Sequence, residues 1–217
     1  PERVIADSCG CQYNYGGAID PDSKQRIMYG EVAPGGIGAT ASEDGINVMS
    51  CHVTNCSLPP MEATEIEAPV LFLKREFQQD TGGAGRRRGG VGQVTAYRML
   101  GDHGWLYRTS QKSHSQPQGM HGGKPGAGGR WVINEGEAGE RTLPYVIGDV
   151  DTLQQGDTVT FYSTAGGGFG DPREREPERV LDDVRAGFIS PSAAKDVYGV
   201  DVGTDQMGTI DPKERTP

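Results

Sequence analysis

The chain has 217 residues, of which only 34 % are apolar, and it carries 34 glycines, 14 prolines and a formal net charge of −9. The acidic balance excludes nucleic acid as the main partner, because phosphate binding needs a broad basic surface. The glycines follow no Gly-X-Y period, which excludes collagen, and no apolar run approaches the ~18 residues of a membrane span or a signal-peptide core.

What remains is a loop-rich, strand-dominated protein without a membrane partner, expected in the cytoplasm, and long enough to bury a core as one large or two small domains. It starts at Pro1 rather than Met, as a processed product, a split subunit or a fragment would. Cys9, Cys11, Cys51 and Cys56 form C-x-C and C-x4-C spacings with His52 beside one of them. Zinc knuckles favour x2 to x4 pairs on both sides, so reduced, mostly buried thiols are expected, with a four-thiolate metal site as the alternative.

Residues 1–60 are punctuated by Asn14-Tyr15-Gly16-Gly17, Asp20-Pro21-Asp22 and Pro34-Gly35-Gly36-Ile37-Gly38, which read as turns. Arg26–Tyr29 and Ile46–Met49 between them read as short strands, while Glu31 and the corner Glu43-Asp44-Gly45 place carboxylates beside glycine turns. Residues 58–68 hold Glu62, Glu65 and Glu67, of which the first two share a face in a helix and the last two in a strand. With no histidine close by, a capped or solvated turn is the expectation there. Val70–Phe77 begins apolar and then alternates, as a strand does.

Thr81-Gly82-Gly83-Ala84-Gly85-Arg86-Arg87-Arg88-Gly89-Gly90-Val91-Gly92 puts six glycines and three adjacent arginines into twelve residues. Such a loop either holds something anionic or forms an architectural corner with its guanidiniums in salt bridges and solvent. Gly92–Leu100 returns as a strand, with Gly101–Gly104 as a turn into a further strand at Trp105–Tyr107. Residues 108–130 are polar and irregular and contain His114, His121 and Lys124 within a second glycine cluster. Trp131–Asn134, Pro144–Ile147 and Thr158–Tyr162 read as strands, and Gly166-Gly167-Gly168-Phe169-Gly170-Asp171-Pro172 is a third cluster. The period then changes. Pro177 opens a helix with Val180, Leu181 and Val184 on one face and Gly187 as its stop. Ser190 and Pro191 open a second, with Ala193, Ala194 and Val197 on its apolar face. The expected class is therefore mainly β (α+β): a glycine-rich β domain over residues 1–172, a helical pair over 173–200 and a tail over 201–217, with the glycine clusters turning strands at one end of the sheets.

None of the clusters fits a phosphate loop. Gly85–Gly89 lacks a lysine followed by Ser or Thr, Gly123-Lys124-Pro125 has proline where the hydroxyl belongs, and Gly166–Gly170 matches neither nucleotide pattern. A G-x-S-x-G elbow and H-E-x-x-H are missing too, so local chemistry names no reaction.

Taken together, the clusters say more. Pro59–Glu67, Pro69 and then Thr81–Gly92 resemble the hydantoinase B/oxoprolinase family, with its glutamate stretch, strand and S/T-GG-x-G-x-x-RGG-x-G signature. Gln118–Gly126 is similar to its G-x-x-GG-x-PG loop. Gly156-Asp157, Gly166–Pro172, Arg175, Pro177, Val180, Asp183-Val184, Gly187 and Tyr198-Gly199-Val200 are similar to its C-terminal signature, and Gly35–Ala39 with Asp44-Gly45 fit upstream. The resemblance covers the C-terminal part of such proteins and implies a B-type subunit of an ATP-dependent complex that is inactive alone. It implies hydrolysis of a cyclic amide such as hydantoin or 5-oxoproline, or else carboxylation of a ketone such as acetone or acetophenone, or a non-catalytic structural subunit.

The resemblance also implies that a hydantoinase A-type ATPase subunit carries ATP and Mg, and that a divalent metal and its ligands lie on partner chains, including an N-terminal B-type polypeptide if the gene is split. No cofactor is expected on this chain and no catalytic residue carries over to it. Arg86, Arg87, Arg88, His121 and Lys124 are the residues expected to meet an anionic intermediate or a partner.

Overall fold

The computed structural model describes residues 4–8, 12–50, 57–109, 112–144 and 149–202. Among the described residues, nine strands form two antiparallel sheets. One contains β1 (Gln12–Ile19), β2 (Arg26–Ala33), β5 (Asp102–Arg108) and β8 (Asp149–Leu153), in the order β2-β1-β5-β8. The other contains β3 (Val70–Phe77), β4 (Gln93–Met99), β6 (Arg130–Ile133), β7 (Arg141–Thr142) and β9 (Thr158–Tyr162), in the order β3-β4-β9-β6-β7. The alternating apolar residues of both sheets meet in one core that includes Ala18, Leu106 and Leu153 from the first sheet and Val70, Tyr97, Met99, Trp131, Ile133, Val159 and Phe161 from the second. Burying such faces against each other is the dominant stabilising term of a two-sheet fold.

The mainly β expectation holds, and several local readings change. Asn14-Tyr15-Gly16-Gly17 is not a turn; it lies in β1. Glycine survives mid-strand here because aromatic rings occupy the space of its missing side chain. A Cβ on Gly16 would stand 2.5 Å from the Tyr29 ring, and one on Gly17 would stand 2.6 Å from Trp105 Nε1. Residues 47–48 form a bend and Met49 a single bridge to Gly35, in place of the expected strand over 46–49. Pro144 is outside any strand, and 145–147 lie outside the described residues. Asp102 and His103 belong to β5 rather than to a turn before it. Residues 61–67 are a helix, α1 (Met61–Glu67), so helices are not confined to the end of the chain. Its Glu65 accepts a hydrogen bond from the Phe72 N–H at 2.6 Å, which fastens the helix to β3.

At the C-terminus, α2 (Pro177–Arg185) starts on proline and gives way to Gly187, whose φ is +76°. The next helix, α3 (Pro191–Ala193), is capped by the Ser190 hydroxyl accepting from Ala193 N–H at 3.1 Å, and runs on into a π turn, Ala194–Tyr198. Val180, Ile189, Ala194 and Tyr198 bury together as a second, small core. Tyr198 rather than Val197 fills that core; Val197 faces solvent. Residues 203–217 of the expected tail lie outside the described residues.

The glycine clusters do not turn strands. They run as irregular segments, with bends at 82 and 85–86 and a turn at 121–122, hydrogen-bonded to one another outside the two sheets. Gly83 N–H donates to Gly166 O, Gly166 N–H to Gly90 O, Gly90 N–H to Ile37 O, and Lys124 N–H to Ala84 O. Phe169 exchanges both backbone bonds with Arg87 and also bridges Met120. The backbones approach so closely that a Cβ on Gly89 would lie 2.0 Å from Gly166 O, and one on Gly166 would lie 2.0 Å from Ile37 O.

Gly16→Ala is expected to cost about 1–3 kcal/mol, because the Tyr29 ring can rotate away, as in ordinary overpacking. Gly166→Ala meets backbone that cannot yield, and its loss is expected to be larger. Urea unfolding of both variants checks the order; equal stabilities would contradict the close backbone packing.

Candidate functional site

The three adjacent arginines have three different fates. Arg88 is 3 % exposed and its guanidinium is spent inside the protein. It donates to Asp183 through Nε at 3.1 Å and Nη2 at 3.2 Å, to Asn47 Oδ1 at 3.2 Å and to Gly89 O at 2.6 Å. Its charge lies over the Phe188 ring at 5.0 Å. The expectation that Arg88 meets an anionic intermediate or a partner therefore gives way to an internal role. Arg87 is half-buried, and its Nε has no hydrogen-bond partner among the described residues. Arg86 is exposed, and among the described residues Nη2 reaches only the Ala41 carbonyl, at 3.5 Å. Neither Arg86 nor Arg87 forms an ion pair among the described residues.

Arg175 completes the internal cluster. Its Nη1 and Nη2 hold both Asp44 oxygens, at 2.7 and 2.9 Å, and Nη2 also donates to Asp183 Oδ2 at 2.7 Å. Asp44 accepts in addition from the Arg88 N–H at 2.7 Å and from Arg179 Nη1 at 3.3 Å. Two fork-to-carboxylate pairs, Arg88–Asp183 and Arg175–Asp44, are thus joined by a shared bond. This geometry is what offsets the cost of dehydrating four charges. The α2 face carries Asp183 next to Val180 because the glycine loop delivers Arg88 to that spot; both α2 residues are buried.

Electrostatics follow from the burial. Dehydration pushes the Asp44 carboxyl up, but hydrogen bonds and charge from Arg175, with the Arg88 N–H, more than reverse this and hold it below the usual carboxylate range. For Arg175, dehydration works against the cation, yet Asp44 and Asp183 raise it above its ordinary value. Tyr198, beside this cluster, is pushed up to about 12 by burial, against the pull of Arg175 and Arg88.

The outer side of the glycine layer collects the remaining candidates. Phe169 lies between Arg87 and Met120, and the His121 ring rests on it at 4.9 Å between centroids. Gly170, next along, lies against the Arg86 side chain; a Cβ there would stand 3.1 Å from Arg86 Cβ. Lys124 joins the layer through its backbone to Ala84 and Gly168, and its side chain is exposed. Arg86, Arg87, His121 and Lys124 therefore emerge from interlaced segments around Phe169. His114 lies apart, on a cleft of ≈ 140 Å³ with Arg130 and Leu143.

Glu31, flagged beside its glycine turn, is buried and paired with Arg75. Burial raises its carboxyl above the usual range, with Arg75 pulling the other way. The four cysteines lie outside the described residues. Among the described residues no group of three His, Cys, Asp or Glu side chains is placed to hold a metal ion, and no helix is long and apolar enough to cross a membrane.

Sequence reasoning marked Asp44, Arg175 and Asp183 as parts of recurring motifs without giving them work. The signal available was chemical: an Arg triplet in an acidic chain needs internal carboxylates. Which carboxylates supply them depends on contacts 44 and 95 residues away along the chain.

The family model for hydantoinase B/oxoprolinase matches residues 1–172. The B-type chain of a putative D-/L-hydantoinase from Pseudomonas sp. (strain NS671) is 29 % identical over 176 residues, covering 81 % of this chain and 29 % of that protein. The acetone carboxylase alpha subunit of Xanthobacter autotrophicus is 28 % identical over 236 residues, covering 89 % of this chain and 30 % of its own length. The crystal structure of an ATP-dependent caprolactamase from Pseudomonas jessenii superposes with a TM-score of 0.78 at 26 % identity, over 94 % of this chain and 37 % of that one. The chain spans about a third of the length of each.

Asp44→Asn leaves Arg175 buried with one carboxylate fewer, and is expected to cost about 3 kcal/mol at neutral pH. Asp44 has a depressed folded-state pKa, so its contribution is complete above the unfolded carboxylate range and lost as pH falls through the folded value. The stability gap between wild type and variant should close below about pH 4; a gap that persists unchanged in acid would contradict the ionic assignment.

Proposed function

Because the chain belongs to the hydantoinase B/oxoprolinase family, we propose that it serves as part of a B-type subunit in an ATP-dependent complex that hydrolyses a cyclic amide such as hydantoin or 5-oxoproline. The match across residues 1–172 carries this reading. None of the glycine loops fits a nucleotide, so ATP and Mg are assigned to a hydantoinase A-type partner. The divalent metal is likewise assigned to a partner chain, with an N-terminal B-type polypeptide completing the subunit if the gene is split. This chain is inactive alone and works in the cytoplasm.

Its own contribution is contact. Arg86 and Arg87 keep guanidinium N–H groups outside the internal ion-pair cluster, and a guanidinium binds phosphate or carboxylate oxygens through parallel hydrogen bonds. His121 and Lys124 stand on the same layer and extend that surface. In this reading the rim receives the anionic oxygens of an activated substrate or of the partner that presents it, while Arg88 and the carboxylates behind it keep the rim rigid.

A second reading, ketone carboxylation, draws on the acetone carboxylase alpha subunit, whose match covers 89 % of this chain. The two separate on one reagent. A hydrolase assembled from all its chains turns over without bicarbonate; a carboxylase does not.

In the assembled complex, Arg86→Ala and Arg87→Ala are each expected to lower product formation about tenfold, the worth of one charge-assisted hydrogen bond. ATP turnover and product should be followed together. Wild-type rates in both variants would sink the contact role, and product only in the presence of bicarbonate would replace the hydrolase by the carboxylase.

A further inference from the structure

The outer face of the sheet β2-β1-β5-β8 carries a surface unlike the rest of this acidic chain. The core takes Ala18, Leu106 and Leu153 from that sheet, so the residues beside them on each strand point away from it. Tyr15, Tyr107 and Val150 form one row across the strands, and Met28, Trp105 and Thr152 form the next. Gly30 and Gly17 fill the remaining place in each row. The two rows thus cross four strands without a charge, although 24 % of the chain is charged. Met28 is 67 % exposed, Val150 56 % and Tyr15 44 %. The two glycines let rings lie flat on the sheet: a Cβ on Gly17 would meet Trp105 Nε1 at 2.6 Å, and one on Gly30 would meet Tyr15 Cδ1 at 2.9 Å. Tyr15 and Tyr107 pack at 6.1 Å between centroids. Rings braced in this way are already ordered, so covering them costs little side-chain entropy. Trp, Tyr and Met are also the residues enriched where proteins bury surface against one another.

Size and charge choose the occupant. Two rows on four strands cover roughly 250 Å² at ordinary sheet spacings. A stable pair of separate proteins buries about 800 Å² on each side, whereas parts of one chain meet over as little as about 300 Å² per side. The face is therefore too small to hold a second copy, and a net charge of −9 on each chain opposes that pairing. It suits a body that also touches the chain elsewhere. The matched relatives contain this fold within longer chains, of which this one spans about a third. Resting on the B-type reading above, we propose that this face seats the N-terminal B-type polypeptide, which covers it with an uncharged, apolar surface.

The test uses the native complex with the photo-crosslinking residue p-benzoylphenylalanine substituted for Met28. Illumination should capture the N-terminal B-type polypeptide, identified by mass spectrometry. Met28→Glu and Thr152→Glu, both at exposed positions, should leave the melting temperature of the chain alone unchanged. Each should weaken binding of the N-terminal polypeptide at least about thirtyfold, because it buries a charge without a partner. Capture of the ATPase subunit or of a second copy, or undiminished binding by both variants, would overturn the proposal and leave the B-type reading standing. A native complex without any N-terminal B-type polypeptide would overturn that reading, and this inference with it.

Discussion

Everything in this molecule depends on backbones lying closer together than any side chain permits. The segments around 82–92, 119–126 and 164–170 exchange hydrogen bonds at distances of 2.7–3.3 Å. A methyl group on Gly89 or Gly166 would fall 2.0 Å from a carbonyl oxygen. Glycine is costly in entropy, and a chain with 34 of them gives up much conformational freedom on folding. The compensation is a layer in which buried peptide groups find peptide partners without a regular sheet.

Such a layer buries little hydrocarbon, so ionic chemistry anchors it to the rest of the fold. Arg88 leaves the layer and Asp183 rises from α2 to meet it, while Arg175 and Asp44 close the cluster. Burying charges is rarely a net source of stability, but a half-broken cluster is costly. That asymmetry makes the arrangement specific: helix, loop and upstream corner fit only in one mutual position. Arg86 and Arg87 are then held on the outside by the same backbone that turns Arg88 inward.

Strands with a local signature were legible in the sequence. Val70–Phe77 and Thr158–Tyr162 alternate, are rich in β-branched and aromatic residues, and are strands. β1 was hidden, because Gly16 and Gly17 in its middle read as a turn unless Tyr29 and Trp105 are known to cover them, and those rings arrive from other strands. β8, Asp-Val-Asp-Thr-Leu, was hidden by its carboxylates, one of which is consumed by the buried Arg108. At the site, the arginine triplet was conspicuous as a motif. The division of labour among its members was not, because contacts with Asp183 and Asp44, remote along the chain, decide it.

The ring of Phe169 has a further consequence. A ladder of bare glycines carries no alternation of side chains, so nothing along it distinguishes one pairing from the same pairing slipped by a residue. Within Gly166-Gly167-Gly168-Phe169-Gly170 a single bulky residue breaks that degeneracy. It sits between Arg87 on one side and Met120 on the other, with His121 across its face. Phe169 is thereby an index mark from which the segment of bare glycines takes its alignment on the two neighbouring segments, which carry Arg87 and Met120.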